Sequence, residues 1–154
     1  RREDYEAVAA VMNELGLVDS VDVAMSPGRT QTFGLIGEDD ERVPMLMLPG
    51  NPVSAYVSFH AFARPLIRRL MGARTEHRAV RAITSTMLRS MKGTMHLLRG
   101  HVTLEGSIRH VEQVAMPHAL GELSAANALI ILDESVDTVR AGQAVKVWLF
   151  DEED

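Results

Sequence analysis

The chain has 154 residues, of which 46% are hydrophobic and 24% are charged, a composition that fits one ordinary globular domain or two small ones. Its formal net charge of −5 argues against binding to duplex nucleic acid, which needs a basic surface, and the absence of cysteine excludes disulfides, thiolate zinc sites and a cysteine nucleophile. There is no apolar run of the roughly 20 residues that span a bilayer and no signal-peptide pattern, so we expect a cytoplasmic protein that does not enter a membrane.

The first 42 residues predict a helix followed by short extended segments. Apolar residues recur at helical spacing at Tyr5, Val8, Met12 and Leu15, which predicts a helix with these residues on its buried side. Gly16 follows them, where a helix end favours a residue that tolerates positive φ. Residues 21–25 and 31–36 predict strands, residues 26–28 (Ser-Pro-Gly) predict a turn, and the acidic residues 37–42 predict a solvated loop.

The next segment predicts a strand, a tight break and a long helix. Residues 43–48 form a short, nearly continuous apolar run, which is typical of a buried strand. After the break at Pro49 and Gly50, apolar residues at helical spacing from Val53 onward predict a helix that Gly72 ends. Pro65 lies inside this helix and is expected to kink it or to shift its start, because proline lacks the N–H group that a helix interior uses.

From about residue 75 onward the pattern changes to β structure. Short runs rich in Val, Ile and Thr alternate with glycine-containing breaks at Gly93, Gly106, Gly121 and Gly142. This spacing predicts a small antiparallel sheet or barrel, and we expect the acidic tail, 151–154, to be solvated. The sequence therefore predicts an α/β segment over 1–74 and a compact β domain over 75–154.

The break between the apolar strand and the long helix is the best candidate for a binding site. Asn51 is a favoured N-cap residue, and Pro52 fits the first helical position. Val53 and Ser54 are expected to present free backbone N–H groups, and Gly50 lets a ligand approach the backbone closely. With the positive end of the helix dipole and the Ser54 hydroxyl, these groups predict a site for phosphate or another oxyanion.

A purely structural interpretation of the same residues stays open. An Asn-Pro pair after a strand is also simply a good helix start, and most helix N-termini bind nothing. The six histidines show no helical pairing of the zinc-hydrolase type, so packed or surface positions are expected for them, including His60 on the long helix. Local chemistry alone therefore does not decide between a site and a structural turn.

Longer stretches around this break resemble a known family. Residues 48–59, which begin Leu-Pro-Gly-Asn-Pro-Val-Ser, are similar to the most characteristic signature of the molybdopterin molybdenumtransferases. Residues 23–29 (Val-Ala-Met-Ser-Pro-Gly-Arg) with 33–34 (Phe-Gly) resemble a second family stretch, and segments between 126 and 147 resemble the family's closing β domain. The matches run in family order across nearly the whole chain.

The resemblance implies a reaction and a fold. Family members bind adenylylated molybdopterin and molybdate, hydrolyse the adenylate with Mg²⁺ and release AMP, leaving molybdenum on the dithiolene sulfurs. Residues 1–74 would be the C-terminal part of an incomplete molybdopterin-binding, Rossmann-like three-layer domain, followed by a small antiparallel β-barrel-like domain. The resemblance also implies a homodimer, with the molybdopterin adenylyltransferase as a further candidate partner.

The resemblance also assigns roles to residues of this chain. The substrate loop would comprise Pro49, Gly50, Asn51, Pro52 and Ser54, with Gly28 and Arg29 binding substrate from the second stretch. Arg29 would supply positive charge against a pyrophosphate or oxyanion. Asp4 and Ser54 are the expected catalytic residues, and the Asp4 carboxylate suits a Mg²⁺ ligand or a group that orients water.

Three positions depart from the family pattern. The family often has lysine where Ser26 and Arg29 stand, and a basic residue where Asp22 stands. Fewer positive charges would weaken an oxyanion site, and Asp22 would repel an anion if it pointed inward. A catalytically diverged scaffold or binding module of the same fold is therefore the second hypothesis, and an unrelated phosphate-binding α/β domain is a third.

The start of the chain leads to a further expectation. The sequence does not begin with methionine, and its first residues run directly into a helical pattern. The family's serine- and glycine-rich molybdopterin loop and the first strands of its α/β domain are expected upstream of Arg1. We therefore expect the 154 residues to be part of a longer protein, and to be inactive and poorly stable alone, because a sheet without those strands has an open edge.

Overall fold

The computed structural model describes residues 2–114 and 125–150, with side chains from Glu6 onward, so the predictions for the Asp4 side chain, Gly121 and the tail 151–154 lie outside the described residues. The first part of the chain contains α1 (Arg2–Leu15), β1 (Gly16–Asp22), β2 (Met25–Ser26), β3 (Thr30–Ile36), a short 3-10 helix (Asp39–Glu41) and β4 (Val43–Met47). Strands β1, β3 and β4 form a three-stranded sheet in that order. The strands predicted over 31–36 and 43–48 are confirmed.

Both pairs of this first sheet are antiparallel. The physical reason is that the connections between its strands are short, whereas a parallel pair needs a crossover of about a dozen residues or more. The parallel, Rossmann-like arrangement expected for 1–74 is therefore not seen in the three-stranded sheet described in that range.

Two expectations about the first helix were wrong. Met12 is buried, but Val8 and Leu15 are 51% and 56% exposed, so the predicted buried side is only partly covered by the described residues. Gly16 does not end the helix with a positive φ; it is the first residue of β1. An added Cβ at Gly16 would lie 2.1 Å from the Leu35 carbonyl oxygen, so glycine is needed there for close approach of two strands.

Strand β4 is less buried than its apolar sequence predicted. Of its residues Met47 is buried, whereas Val43 and Met45 are 63% and 38% exposed. Among the described strands, β4 pairs with β3 alone and lies at the edge of its sheet. A continuous apolar run therefore predicted the strand correctly but not its burial, because burial depends on what covers each face.

The long helix is confirmed, and Pro65 lies in the first turn of its last α-helical part. It consists of α2 (Pro52–Ser58), a π-helical segment (Phe59–Ala63) and α3 (Arg64–Leu70). Pro65 follows the π segment and cannot donate a hydrogen bond to the preceding turn, and the wider π turn accommodates the missing donor. Gly72, at φ +72°, ends the helix as predicted.

The second part of the chain contains seven strands among the described residues: β5 (Arg78–Thr84), β6 (Leu88–Arg89), β7 (Met95–Glu105), β8 (Ile108–Gln113), β9 (Ala128–Leu132), β10 (Thr138–Val139) and β11 (Ala144–Leu149). Five of them form a closed barrel in the order β7-β8-β5-β11-β9, which pairing of β9 with β7 completes. The predicted barrel is confirmed, and the two-residue strands β6 and β10 were not predicted.

The barrel is mixed rather than antiparallel. Strands β5 and β8 pair in parallel, with Ile83 opposite His110, while the other four barrel pairs are antiparallel. The reason is the path of the chain: β7 and β8 form a hairpin, and this hairpin returns β8 to the side of β5 in the same direction as β5. Short alternating runs predict strands, but they do not specify which strands become neighbours.

Strand β9 is buried on both faces and joins two hydrophobic clusters. Ala128, Ile130 and Leu132 pack inside the barrel with Val111 and Val147. Leu129 and Ile131 point the other way and pack with Met25, Val57 and Leu97. Because Val57 belongs to α2, the second cluster attaches the long helix to the outside of the barrel.

The aromatic junction, which comprises Tyr56, His60 and Phe150, extends this attachment. The His60 and Phe150 rings stack with centroids 3.7 Å apart, and Tyr56 lies 4.8 Å from His60. The Arg64 guanidinium donates a hydrogen bond to the Phe150 carbonyl oxygen at 2.6 Å. Burial, followed by the positive charges of Arg64 and His77, lowers the pKa of His60 to about 4, so His60 is a packed neutral histidine at neutral pH.

Within the described ranges, no helix has both the length and the apolar character needed to cross a membrane.

We expect Ile130→Ala to destabilise the chain by about 2–5 kcal/mol, because the fully buried side chain leaves a cavity in the barrel. Urea denaturation measures this loss. The matched control is Ile108→Ala, which removes a side chain that is 54% exposed and should cost less than about 1 kcal/mol. Equal losses for the two variants would contradict the described barrel interior.

We expect His60→Phe to gain stability relative to the native chain as the pH falls from 6.5 towards 4. The unfolded chain takes up a proton on histidine near its ordinary pKa of 6.5, whereas folded His60 does so only near 4. The native chain therefore loses stability as the pH is lowered through this window. Phenylalanine at position 60 removes this pH-dependent loss and keeps a ring against Phe150. Urea denaturation at several pH values tests this, and parallel profiles for the two proteins would refute it.

Candidate functional site

A cleft of about 980 Å³ lies where α1, the first sheet, the turn after β2 and the start of α2 meet. We call it the cleft; it is lined by Glu6, Ala9, Ser20, Asp22, Gly28, Arg29, Thr30, Pro49, Gly50, Asn51 and Ser54. It brings together six of the predicted site residues, Gly28, Arg29, Pro49, Gly50, Asn51 and Ser54. Pro52 does not line it, and the Asp4 side chain lies outside the described residues.

Asn51 caps α2, as predicted, but the cap removes the expected anion donors. The Asn51 Oδ1 atom accepts hydrogen bonds from the backbone N–H groups of Val53 and Ser54 at 3.0 and 3.1 Å. The expectation that these two groups are free for a ligand was therefore wrong, because the N-cap side chain satisfies them first. What the helix start presents to the cleft is the Ser54 hydroxyl, whose Oγ lies 3.5 Å from Asn51 Oδ1.

Arg29 and Asp22 form an ion pair at the cleft. Arg29 approaches Asp22 Oδ2 through Nη2 at 3.0 Å and through Nε at 3.1 Å. The Thr30 hydroxyl donates to the other carboxylate oxygen, Oδ1, at 2.9 Å. Asp22 therefore does line the cleft, the position from which it was expected to repel an anion. There it is paired with Arg29 and is not an isolated negative charge.

Gln31 positions the two halves of the cleft and was not predicted. Its side chain is 3% exposed, and Nε2 donates to the Gly28 carbonyl oxygen at 2.6 Å and to the Ser58 hydroxyl at 2.9 Å. These bonds hold the Gly28 turn against α2, the helix that carries Ser54. No local signal in the sequence identifies this contact, because Gln31 and Ser58 are 27 positions apart.

Gly28 lies at the centre of this contact. Its φ is +92°, and an added Cβ would come within 2.9 Å of the Ser58 hydroxyl oxygen. Glycine is therefore required both by the backbone conformation and by the close approach of the turn to α2. The predicted turn at 26–28 is confirmed, and its glycine has a packing role as well as a place in the cleft.

The cleft carries charges of both signs. Glu6 from α1 and Asp22 contribute carboxylates, and Arg29 contributes a guanidinium; sequence reasoning had not selected Glu6, Ser20 or Thr30. Among the residues with described side chains, no three histidine, aspartate or glutamate residues cluster as a metal site. The described groups can thus bind an oxyanion through Arg29 and Ser54, and the carboxylates add hard oxygen donors to the same cleft.

The chain is similar in sequence to proteins of one family. Residues 81–150 match the family profile described as "MoeA C-terminal region (domain IV)". The chain is 39% identical over 150 residues to molybdopterin molybdenumtransferase 1 of Mycobacterium tuberculosis (strain CDC 1551 / Oshkosh), covering 92% of this chain and 35% of that protein. It is 30% identical over 147 residues to molybdopterin molybdenumtransferase of Haemophilus influenzae, with the same two coverages.

A solved structure shares the fold. The molybdopterin biosynthesis MoeA protein from Pyrococcus horikoshii superimposes with a TM-score of 0.72 and 26% identity, over 94% of this chain and 34% of that protein. The fold is thus a β-barrel that carries a long helix on its outside, and a cleft with charges of both signs lies at the start of that helix. The chain belongs to the molybdopterin molybdenumtransferase family, and it spans about a third of the length of the relatives it matches.

We expect Asn51→Ala to destabilise the protein by about 0.5–2 kcal/mol, because it removes the acceptor of two backbone N–H groups at the start of α2. Asn51→Asp should retain most of the stability, since aspartate caps equally well. Asn13→Ala is the control: its exposed side chain bonds within α1, where alanine is the better helix former. A loss in the control equal to that of Asn51→Ala in urea denaturation would contradict the capping role.

Proposed function

We propose that this chain provides part of the substrate cleft of an enzyme that inserts molybdate into adenylylated molybdopterin and releases AMP. The observation that carries the proposal is the convergence of two separate sequence stretches, around Arg29 and around Ser54, on one cleft. The chain covers only about a third of its relatives, so the proposal concerns a share of the reaction carried out in a longer protein.

The roles follow from the chemistry of each group. The Arg29 guanidinium would bind an oxygen of molybdate or of the pyrophosphate, because planar N–H donors match such anions. The Ser54 hydroxyl would donate to the same ligand from the start of α2, whose dipole favours negative charge there. Gly28, Gly50, Pro49 and Asn51 would shape the loop backbone that the ligand approaches, while Pro52 would start the helix.

Mg²⁺ would neutralise charge on the phosphoryl oxygens when bound. The donor types suit it, because Mg²⁺ prefers one or two carboxylates together with substrate oxygens. We assign Asp4 to this role, as the family resemblance implies, and α1 also contributes the Glu6 carboxylate to the cleft lining. Asp4 would also be the second catalytic residue beside Ser54.

The proposal extends to organisation and partners. We propose a molybdopterin-binding, Rossmann-like domain to which residues 1–74 belong, with the β domain over 75–154. We further propose that the protein is a cytoplasmic homodimer that exchanges substrate with the molybdopterin adenylyltransferase. The proposal includes no nucleic-acid or membrane partner. Six of the residues that the sequence indicated as site residues also line the cleft, and this agreement supports their assignment as substrate contacts.

A catalytically diverged scaffold is the second candidate, and two observations favour it. Among the side chains that the structure describes, Arg29 supplies the guanidinium that lines the cleft, and it already pairs with Asp22. The N–H donors of Val53 and Ser54 already bond to Asn51. A scaffold needs the fold but no free anion donors. The unrelated phosphate-binding domain is no longer a candidate, because the chain belongs to the molybdenumtransferase family.

A chimera distinguishes the two candidates. These 154 residues would replace the matching third of the Mycobacterium tuberculosis relative, in cells that lack their own molybdenumtransferase. We expect nitrate reductase activity to return at low molybdate. Ser54→Ala and Asp4→Asn should each lower it at least about tenfold, because each removes a contact to the charged ligand.

Matched controls are Ser85→Ala and Asp40→Asn, which change the same residue types at exposed positions away from the cleft. These should leave nitrate reductase activity close to that of the unmodified chimera. A soluble chimera that restores no activity even at high molybdate would reject the enzyme proposal and favour the scaffold.

A further inference from the structure

We propose that Asp22 sets the affinity of the cleft for its anionic ligand, because it competes with that ligand for Arg29 and thereby determines the anion concentration at which the cleft fills. The inference rests on the proposed function for the identity of the anion, a molybdate or phosphoryl oxyanion. It goes beyond that function by assigning a role to a carboxylate that would otherwise only weaken an anion site.

The geometry of the pair is that of a competitor. Arg29 directs Nε and Nη2 at the same atom, Asp22 Oδ2, at 3.1 and 3.0 Å. This is the edge of the guanidinium that an oxyanion uses to make two parallel hydrogen bonds. An oxyanion in the cleft must therefore take the place of Asp22 on this edge or bind Arg29 less completely.

Asp22 is held in position independently of Arg29. The Thr30 hydroxyl donates to Asp22 Oδ1 at 2.9 Å, from the strand residue directly opposite in the β1–β3 register. The carboxylate consequently stays at the cleft wall when Arg29 changes partner. It remains available to take Arg29 back when the ligand leaves, so the exchange is reversible.

The pair is weak enough to be exchanged. The side chains of Arg29 and Asp22 are 77% and 54% exposed, and exposed ion pairs of this kind typically change an equilibrium by about two- to fivefold. An oxyanion that offers two acceptor oxygens and a double negative charge can displace such a partner. Asp22 therefore lowers anion affinity without abolishing it.

A short-range competition differs from a general effect of negative charge. Asp19 lies on the same strand, three residues before Asp22, so it belongs to the opposite face of the sheet and does not line the cleft. Removing the Asp19 carboxylate changes the net charge of the protein by the same amount. It leaves the Arg29 pair intact, which makes it the matched control.

The test is a double-mutant cycle in the purified chimera, with molybdate alone as the probe and calorimetry at fixed ionic strength as the measurement. We expect Asp22→Asn to tighten molybdate binding about three- to tenfold, because Arg29 is released for the anion. Arg29→Gln should weaken binding. In the Arg29→Gln background, Asp22→Asn should change the Kd by less than about twofold.

Several outcomes would overturn the inference. Asp19→Asn tightening binding as much as Asp22→Asn would show a general charge effect. If Asp22→Asn changed the Kd for molybdate as much in the Arg29→Gln background as in the native chimera, the ion pair would be irrelevant to binding. If neither the native nor the Asp22→Asn chimera bound molybdate, the inference would also be overturned. The failure of the proposed function is separate: no restored nitrate reductase activity, together with the expected cycle, would reject molybdate insertion but retain the exchange.

Discussion

The burial of β9 on both faces is the constraint on which the rest of the molecule depends. Ile130 faces the barrel interior, while Leu129 and Ile131 face outward and are covered by Val57 of the long helix. Because each face needs its own apolar cover, the helix must lie against the barrel, and the aromatic junction around His60 extends that contact. The position of the helix in turn decides where its first turn, with Asn51 and Ser54, meets the cleft.

The cleft is assembled by polar contacts that the protein satisfies within itself. Gln31 ties the Gly28 turn to Ser58 of the helix, Asn51 occupies the N–H groups of its own helix, and Asp22 occupies Arg29. Most of these contacts make the site rigid before any ligand arrives, which favours a defined geometry. The Arg29 pair is different, since it is exposed and uses the same donors that an anionic ligand needs.

Family membership and the cleft concern different parts of the chain. The family profile covers residues 81–150, which is the barrel, whereas the cleft is lined by residues between Glu6 and Ser54. Similarity to the Mycobacterium tuberculosis relative extends over 92% of the chain and so includes both parts. The barrel thus supports the family assignment, and the chemistry of this particular chain has to be argued from Arg29, Asp22 and Ser54.

The sequence by itself determined the order of elements and the candidate loop, because periodicity, turn residues and N-cap chemistry are local. It correctly indicated the helix after Asn51 and the β-barrel. Arg29 and Ser54, which the family resemblance named as site residues, both line one cleft. The tertiary structure decided the parallel pairing of β5 with β8, the exposure of β4, the contact of Gln31 with Ser58 and the pairing of Asp22 with Arg29. These depend on which elements become neighbours across long stretches of chain, and residue spacing along one sequence does not contain that information.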